Sequence, residues 1–137
     1  MIFLVIFLSN CAAKSNQILI DNGKQKIKVN VEIADDNNRR MHGLMFREKL
    51  NENDGMLFVF DNEDYRAFWM KNTLIPLDII FISKEMKIVD IKYAVPCKEN
   101  PCKLYESSKP AQYVLEVNGN FTIKNNIKTD DKITLKE

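Results

Sequence analysis

The chain has 137 residues, 45% of them hydrophobic and 28% charged, with 20 basic against 19 acidic residues and a formal net charge of +1. That length reads as one domain with a core large enough to fold without metal or disulfide support. The even charge balance argues against the basic excess or stripe of a nucleic-acid surface, and the scattered lysines read as solvated surface.

The chain opens on an apolar run, MIFLVIFLSNC, too short to cross a bilayer core of about 30 Å. It resembles the apolar region of a secretory signal. Its ending, Leu8-Ser9-Asn10-Cys11, resembles a bacterial lipobox, in which the cysteine becomes the lipidated first residue of the mature protein. Two features depart from that pattern: Asn10 stands where a small residue is usual, and no lysine or arginine precedes the run. A buried first strand is the alternative, but Lys14-Ser15-Asn16 reads as the start of a tether. Residues 1–16 are therefore expected to be signal and tether, and residues 17–137 a single β-rich domain. The protein is expected to be exported and held at the cell envelope by a membrane anchor on Cys11.

Beyond the tether, Ile18–Ile20 closes on the strong turn signal Asp21-Asn22-Gly23, and Lys26–Ile33 then alternates. Ile27, Val29, Val31 and Ile33 share one face; Lys28, Asn30 and Glu32 share the other. The two segments predict an antiparallel hairpin. Asp35 and Asp36 are N-cap candidates for a short helix whose apolar stripe is Met41, Leu44 and Met45. Gly43 costs such a helix about 1 kcal/mol against alanine, which suggests that backbone from another element packs close to it. Asn51–Gly55 is a polar turn.

The densest stretch, Gly55–Ser83, carries two apolar runs, Met56–Phe60 and Leu77–Ile82, with the only tryptophan, Trp69, between them. Both runs predict buried strands. Arg66, Lys71, Asn72 and Asp78 lie in or between them and need partners if buried. Further strands are expected at Ile88–Val95, Tyr113–Val117 and Lys132–Leu135, with a proline-bearing loop over 96–110. Many short strands and one short helix predict a mainly β fold, a single compact sandwich or barrel-like domain.

Five blocks then stand in series: Met41–Arg47 (MHGLMFR), Gly55–Phe60 (GMLFVF), Phe68–Thr73 (FWMKNT), Pro76–Ile82 (PLDIIFI) and Tyr113–Asn118 (YVLEVN). In this order they resemble the prokaryotic family known as domain of unknown function 192, over roughly Ile27–Leu135. The resemblance implies a sandwich or barrel-like domain, secreted or envelope-attached, and implies no activity. The turn Asn118-Gly119-Asn120 departs from the family, where an alanine-glycine pair is more usual.

Cys97 and Cys102 in an exported protein favour a local disulfide over a redox or metal pair. Redox pairs usually enclose two residues, and structural zinc needs two more ligands. Met41, His42 and Met45 admit a soft Cu(I) site, but methionines on a helical stripe usually pack a core. No metal and no cofactor is expected. Asp78, flanked by apolar residues, needs a partner; Arg40, Arg47 and Lys71 are the cationic candidates, and a cap on backbone amides at the Pro76 turn is the other solution. Asp78 and Glu116 are also the weak candidates for a two-carboxylate hydrolase. No serine elbow, nucleophile–base pair or metal cluster is present, which favours a non-enzyme. The expectation is an envelope module that binds a small ligand or an envelope protein in a groove near Trp69, Lys71, Asn72, Asp78 and Glu116. A purely structural lipoprotein is the further alternative.

Overall fold

The structure is a computed structural model and describes residues 16–136. The predicted anchor at Cys11 lies outside them. The alternating segment forms the expected hairpin: β1 (Asn16–Asp21) and β2 (Lys26–Ala34) pair antiparallel. At their turn the Asn22 side-chain oxygen accepts from the Lys24 and Gln25 amides at 3.0 and 2.9 Å. β1 already begins at Asn16, inside the stretch set apart as tether.

The helix differs from its prediction. α1 (Asn37–His42) starts at Asp36, whose carboxylate caps the Arg39 amide at 2.7 Å, and it buries none of its residues. It stops at Gly43, where φ is +50°, a conformation that favours glycine. Leu44 alone is buried from the expected stripe; Met41 is 66% exposed, so it is no core methionine. The close approach at Gly43 is made by a side chain, since a Cβ there would lie 3.3 Å from the Phe58 ring.

The remaining elements are β3 (Asp54–Asp64), β4 (Ala67–Trp69), β5 (Leu77–Ile82), β6 (Ile88–Ala94), β7 (Leu104–Glu106), β8 (Ala111–Asn118), α2 (Phe121–Lys124) and β9 (Lys132–Lys136). Seven strands make one sheet in the order β6-β5-β8-β3-β2-β1-β9, and β4 and β7 form a separate two-stranded ribbon. Every pairing is antiparallel except β2 with β3. The sheet curls until its two edges touch at one end. There the Ile88 amide donates to the Asp131 carbonyl at 3.0 Å and the Ile133 amide to the Met86 carbonyl at 2.8 Å. The result is a half-barrel, within the mainly β class that the sequence predicts. β4, β7 and α2 are too short to show a period in sequence.

All six residues of β5 are buried because both faces of the sheet are covered. Ile80 and Ile82 pack inside the curl with Ile18, Val29, Leu57 and Leu115, and Phe121 of α2 closes that core. Leu77, Ile79 and Phe81 pack outside it with Phe58, Met70 and Val114. Each such side chain contributes about 1.5–3 kcal/mol relative to an exposed one. Phe68 joins the outer layer edge-on to Phe58 and Phe81, at centroid distances of 5.0 and 6.1 Å. Among the described residues no helix is long and apolar enough to cross a membrane.

Candidate functional site

Asp78 is a structural residue. Its carboxylate is 2% exposed and accepts from the Asn120 amide (3.0 Å), the Thr122 amide (2.9 Å) and the Thr122 hydroxyl (2.7 Å). These donors belong to the start of α2, so Asp78 fastens the cap over the inner core. The arginine partner expected from sequence is not there. Arg47 makes a two-pronged pair with Glu32 across α1's flank, and Arg40 donates to the Val59 carbonyl (2.8 Å) and the Asn37 side chain (2.9 Å). The backbone cap is the solution adopted, with amides supplied by Asn120 and Thr122.

Glu116 faces the other way. It lies opposite Met56 on β3 and Ile79 on β5, among the outer-layer residues, and is only 4% exposed. Among the described residues no group donates a hydrogen bond to its carboxylate. Burial alone pushes its pKa from the ordinary 4.5 up to about 8, so the side chain is a neutral acid at pH 7. Asp78 and Glu116 therefore cannot form the carboxylate couple considered from sequence: the sheet stands between them.

Above Glu116, α1 and the segment after it face the β4–β7 ribbon across a cleft of about 690 Å³. That is the size of a small-molecule site. Trp69, 40% exposed, lines the ribbon side, and the Lys71 ammonium lies 5.2 Å from the centre of its ring. Trp69 is directly opposite Leu104 in the ribbon, so β7 sets its position. Asn72 does not line the cleft; it takes a positive φ of 54°, and its carbonyl accepts the Phe46 amide at 2.8 Å. Of the five residues expected to bind ligand, then, Trp69 and Glu116 share the cleft, Lys71 leans on Trp69, and Asn72 and Asp78 have structural work elsewhere.

Two residues outside the binding set expected from sequence belong to the site. Arg40 from α1 and Arg66 from the β3–β4 turn both lie against the Phe60 ring, their guanidinium carbons 5.3 and 3.9 Å from its centroid. Such cation–π contacts hold a guanidinium plane in place. Backbone oxygens anchor both side chains: Arg66 donates to Ala111 (2.9 Å) and to Asn62, and Arg40 to Val59. The Arg66 main chain is itself clamped by Ser107, through bonds of 2.9 and 2.8 Å. The sequence signal was present, since Arg66 stands between the two apolar runs; its aromatic partner Phe60, six residues earlier, was not legible as one.

His42 also lines the cleft, beside Met41 and Met45. Among the described residues no cluster of three His, Cys, Asp or Glu side chains could hold a metal. A second groove, of about 830 Å³, runs past Tyr93, Leu74 and the Cys97–Cys102 disulfide. Its buried polar group is the Tyr105 hydroxyl, which accepts from the Val95 amide at 3.2 Å, and its charges are the exposed Lys98, Lys103 and Glu99.

Two solved structures resemble this one along most of their length. One is described as a "putative transcription regulator" from Sinorhizobium meliloti 1021, with 31% identity, a TM-score of 0.83 and coverage of 88% of this chain and 93% of that one. The other is a protein of unknown function from Novosphingobium aromaticivorans DSM 12444, with 32% identity, a TM-score of 0.80 and coverage of 86% and 83%. No curated protein matches the chain. The family model DUF192, described as "Uncharacterized ACR", matches residues 18–135. The chain therefore belongs to the DUF192 family.

Proposed function

We propose that this DUF192 domain is a non-catalytic binding module, held at the cell envelope by a lipid on Cys11, whose cleft takes a small ligand. The observation that carries the reading is that Trp69 and Glu116 open on the same cleft. An aromatic wall and a neutral buried carboxyl suit recognition: the ring covers a flat or apolar surface, and the acid donates one hydrogen bond. Hydrolysis by two carboxylates has no support, because Asp78 points away from Glu116. The regulator role described for the S. meliloti protein finds no support here either. The two described helices have six and four residues, too short to fill a DNA groove as recognition helices, and the charge is balanced.

The test is a fragment screen by NMR against the full chain. Hits should shift the Trp69 indole signal and be lost in Trp69→Ala and in Glu116→Leu, which removes the donor. Hits confined to the groove beside the disulfide, or none at all, would refute the reading.

A further inference from the structure

The ligand cleft is lined by two arginines and one carboxyl group, and the carboxyl is Glu116, buried and neutral at pH 7. Among the described residues neither Arg40 nor Arg66 makes an ion pair with a carboxylate; the ion pairs lie at Asp36, Glu32, Asp90 and Asp131. Asp64 acts on Arg66 from a distance and partly offsets the effect of its burial. The two guanidinium groups act on each other as like charges: burial lowers the Arg66 pKa, and the nearby Arg40 lowers it further. Among the described residues each keeps donors that no group accepts. Arg66 commits its Nε and one terminal nitrogen, leaving the other free, and Arg40 leaves its Nε free. Two cations fixed on one aromatic ring, with donors to spare and no counter-charge in contact, are prepared for an external oxyanion. Next to them the cleft is walled by Phe60, Phe68, Trp69 and Leu104, which suit an apolar or flat body.

Resting on the ligand-cleft reading, we propose that Arg40, Phe60 and Arg66 form an oxyanion subsite of that cleft. Its ligand is an organic acid: a carboxylate or phosphate carried on an aromatic or branched apolar body.

The test uses the full chain and its single tryptophan, which lines the cleft, as reporter. Three probes are titrated: 4-phenylbutyrate, phenyl phosphate and the uncharged 4-phenylbutanamide. At least one anion should quench Trp69 saturably and bind about tenfold or more tighter than the amide, the gain expected of a hydrogen bond to a charged group. The tighter of the two anions identifies the headgroup. Arg40→Gln and Arg66→Gln should each bring the anion down to the level of the amide and leave the amide unchanged. In the wild type the Nε–H signals of these arginines should move with the anion and stay still with the amide, which decides the matter if either variant fails to fold. Equal binding of anion and amide, or variants that keep the anion's advantage, overturns the subsite while leaving the ligand cleft standing. Silence from both anions at millimolar concentration also overturns it, and the cleft then stands or falls on the fragment screen alone.

Discussion

Asp78 on β5 and Glu116 on β8 are one register step apart and point to opposite faces of the sheet, Asp78 lying opposite Val117 and Glu116 opposite Ile79. Alternation along a strand makes this unavoidable: residues directly opposite share a face, and their neighbours take the other. The two carboxyl groups consequently have different tasks. Asp78 meets two amides and a hydroxyl and holds α2 over the inner core, whereas Glu116 meets no donor among the described residues and borders a cleft.

Asp78→Asn should therefore destabilise the fold. The amide presents an NH₂ group to donors that a carboxylate oxygen now satisfies, and leaving buried donors unmet costs on the order of 2–4 kcal/mol in total. Urea unfolding of variant and wild type reads this as a shift in midpoint at constant slope. An unchanged midpoint would show that α2 does not depend on Asp78.

Most of the sheet was legible because its strands carry a period or a dense apolar run. Lys26–Ile33 alternates and is half-buried; Leu77–Ile82 is apolar throughout and is covered on both faces. The covering layer was legible only in part. A short helix capped at Asp36 was expected and is present, but the two three-residue strands were not, and the layer's position depends on contacts far away in sequence, such as Ser107 with Arg66 or Leu104 with Trp69. The site suffered for the same reason. Trp69 and Glu116 could be named from residue type, but that Arg40 stacks on Phe60 rather than pairing with Asp78 required knowing that α1 lies against the Val59–Phe60 part of β3. The heptapeptide Met41–Arg47 misled in a simpler way: its apolar spacing is helical, yet Gly43 ends the helix in its middle.

The Cys97–Cys102 bond should steady the cleft as well as its own loop. The two Cα atoms are 5.5 Å apart, and the bond closes the loop directly before β7, the strand that positions Trp69. A two-stranded ribbon has little stability of its own. Replacing both cysteines by serine should lower stability by about 2 kcal/mol in the chain-entropy account. It should also shift Trp69 emission toward that of a water-exposed indole. Mass spectrometry of non-reduced protein should find the joined cysteines two hydrogens lighter than the free thiols. Two free thiols in exported protein would remove the premise.

Lipid attachment tests the envelope proposal independently of the cleft. Cells fed a clickable fatty acid should label the wild type and fail to label Cys11→Ser. Equal labelling of the two, or none when the natural start is used, would leave the module without its anchor.

The buried acid makes the sharpest prediction, because its titration has a definite sign. The folded chain holds the Glu116 proton up to about pH 8, whereas the unfolded chain releases it near 4.5. Between those limits the native state binds more protons than the unfolded state, so stability falls as pH rises, by at most about 1.4 kcal/mol per pH unit. Below the window both states are protonated and above it both are ionised, so Glu116 adds no slope at either end. Glu116→Gln removes the titration while keeping the shape. Its stability relative to wild type should thus climb from pH 4.5 to pH 8 and level off beyond, whatever constant offset the amide introduces. Guanidinium unfolding of both proteins at unit steps of pH gives that difference curve directly. A flat difference would mean that Glu116 ionises at its ordinary value, and the neutral acid beside Trp69, on which the reading of the cleft depends, would be lost.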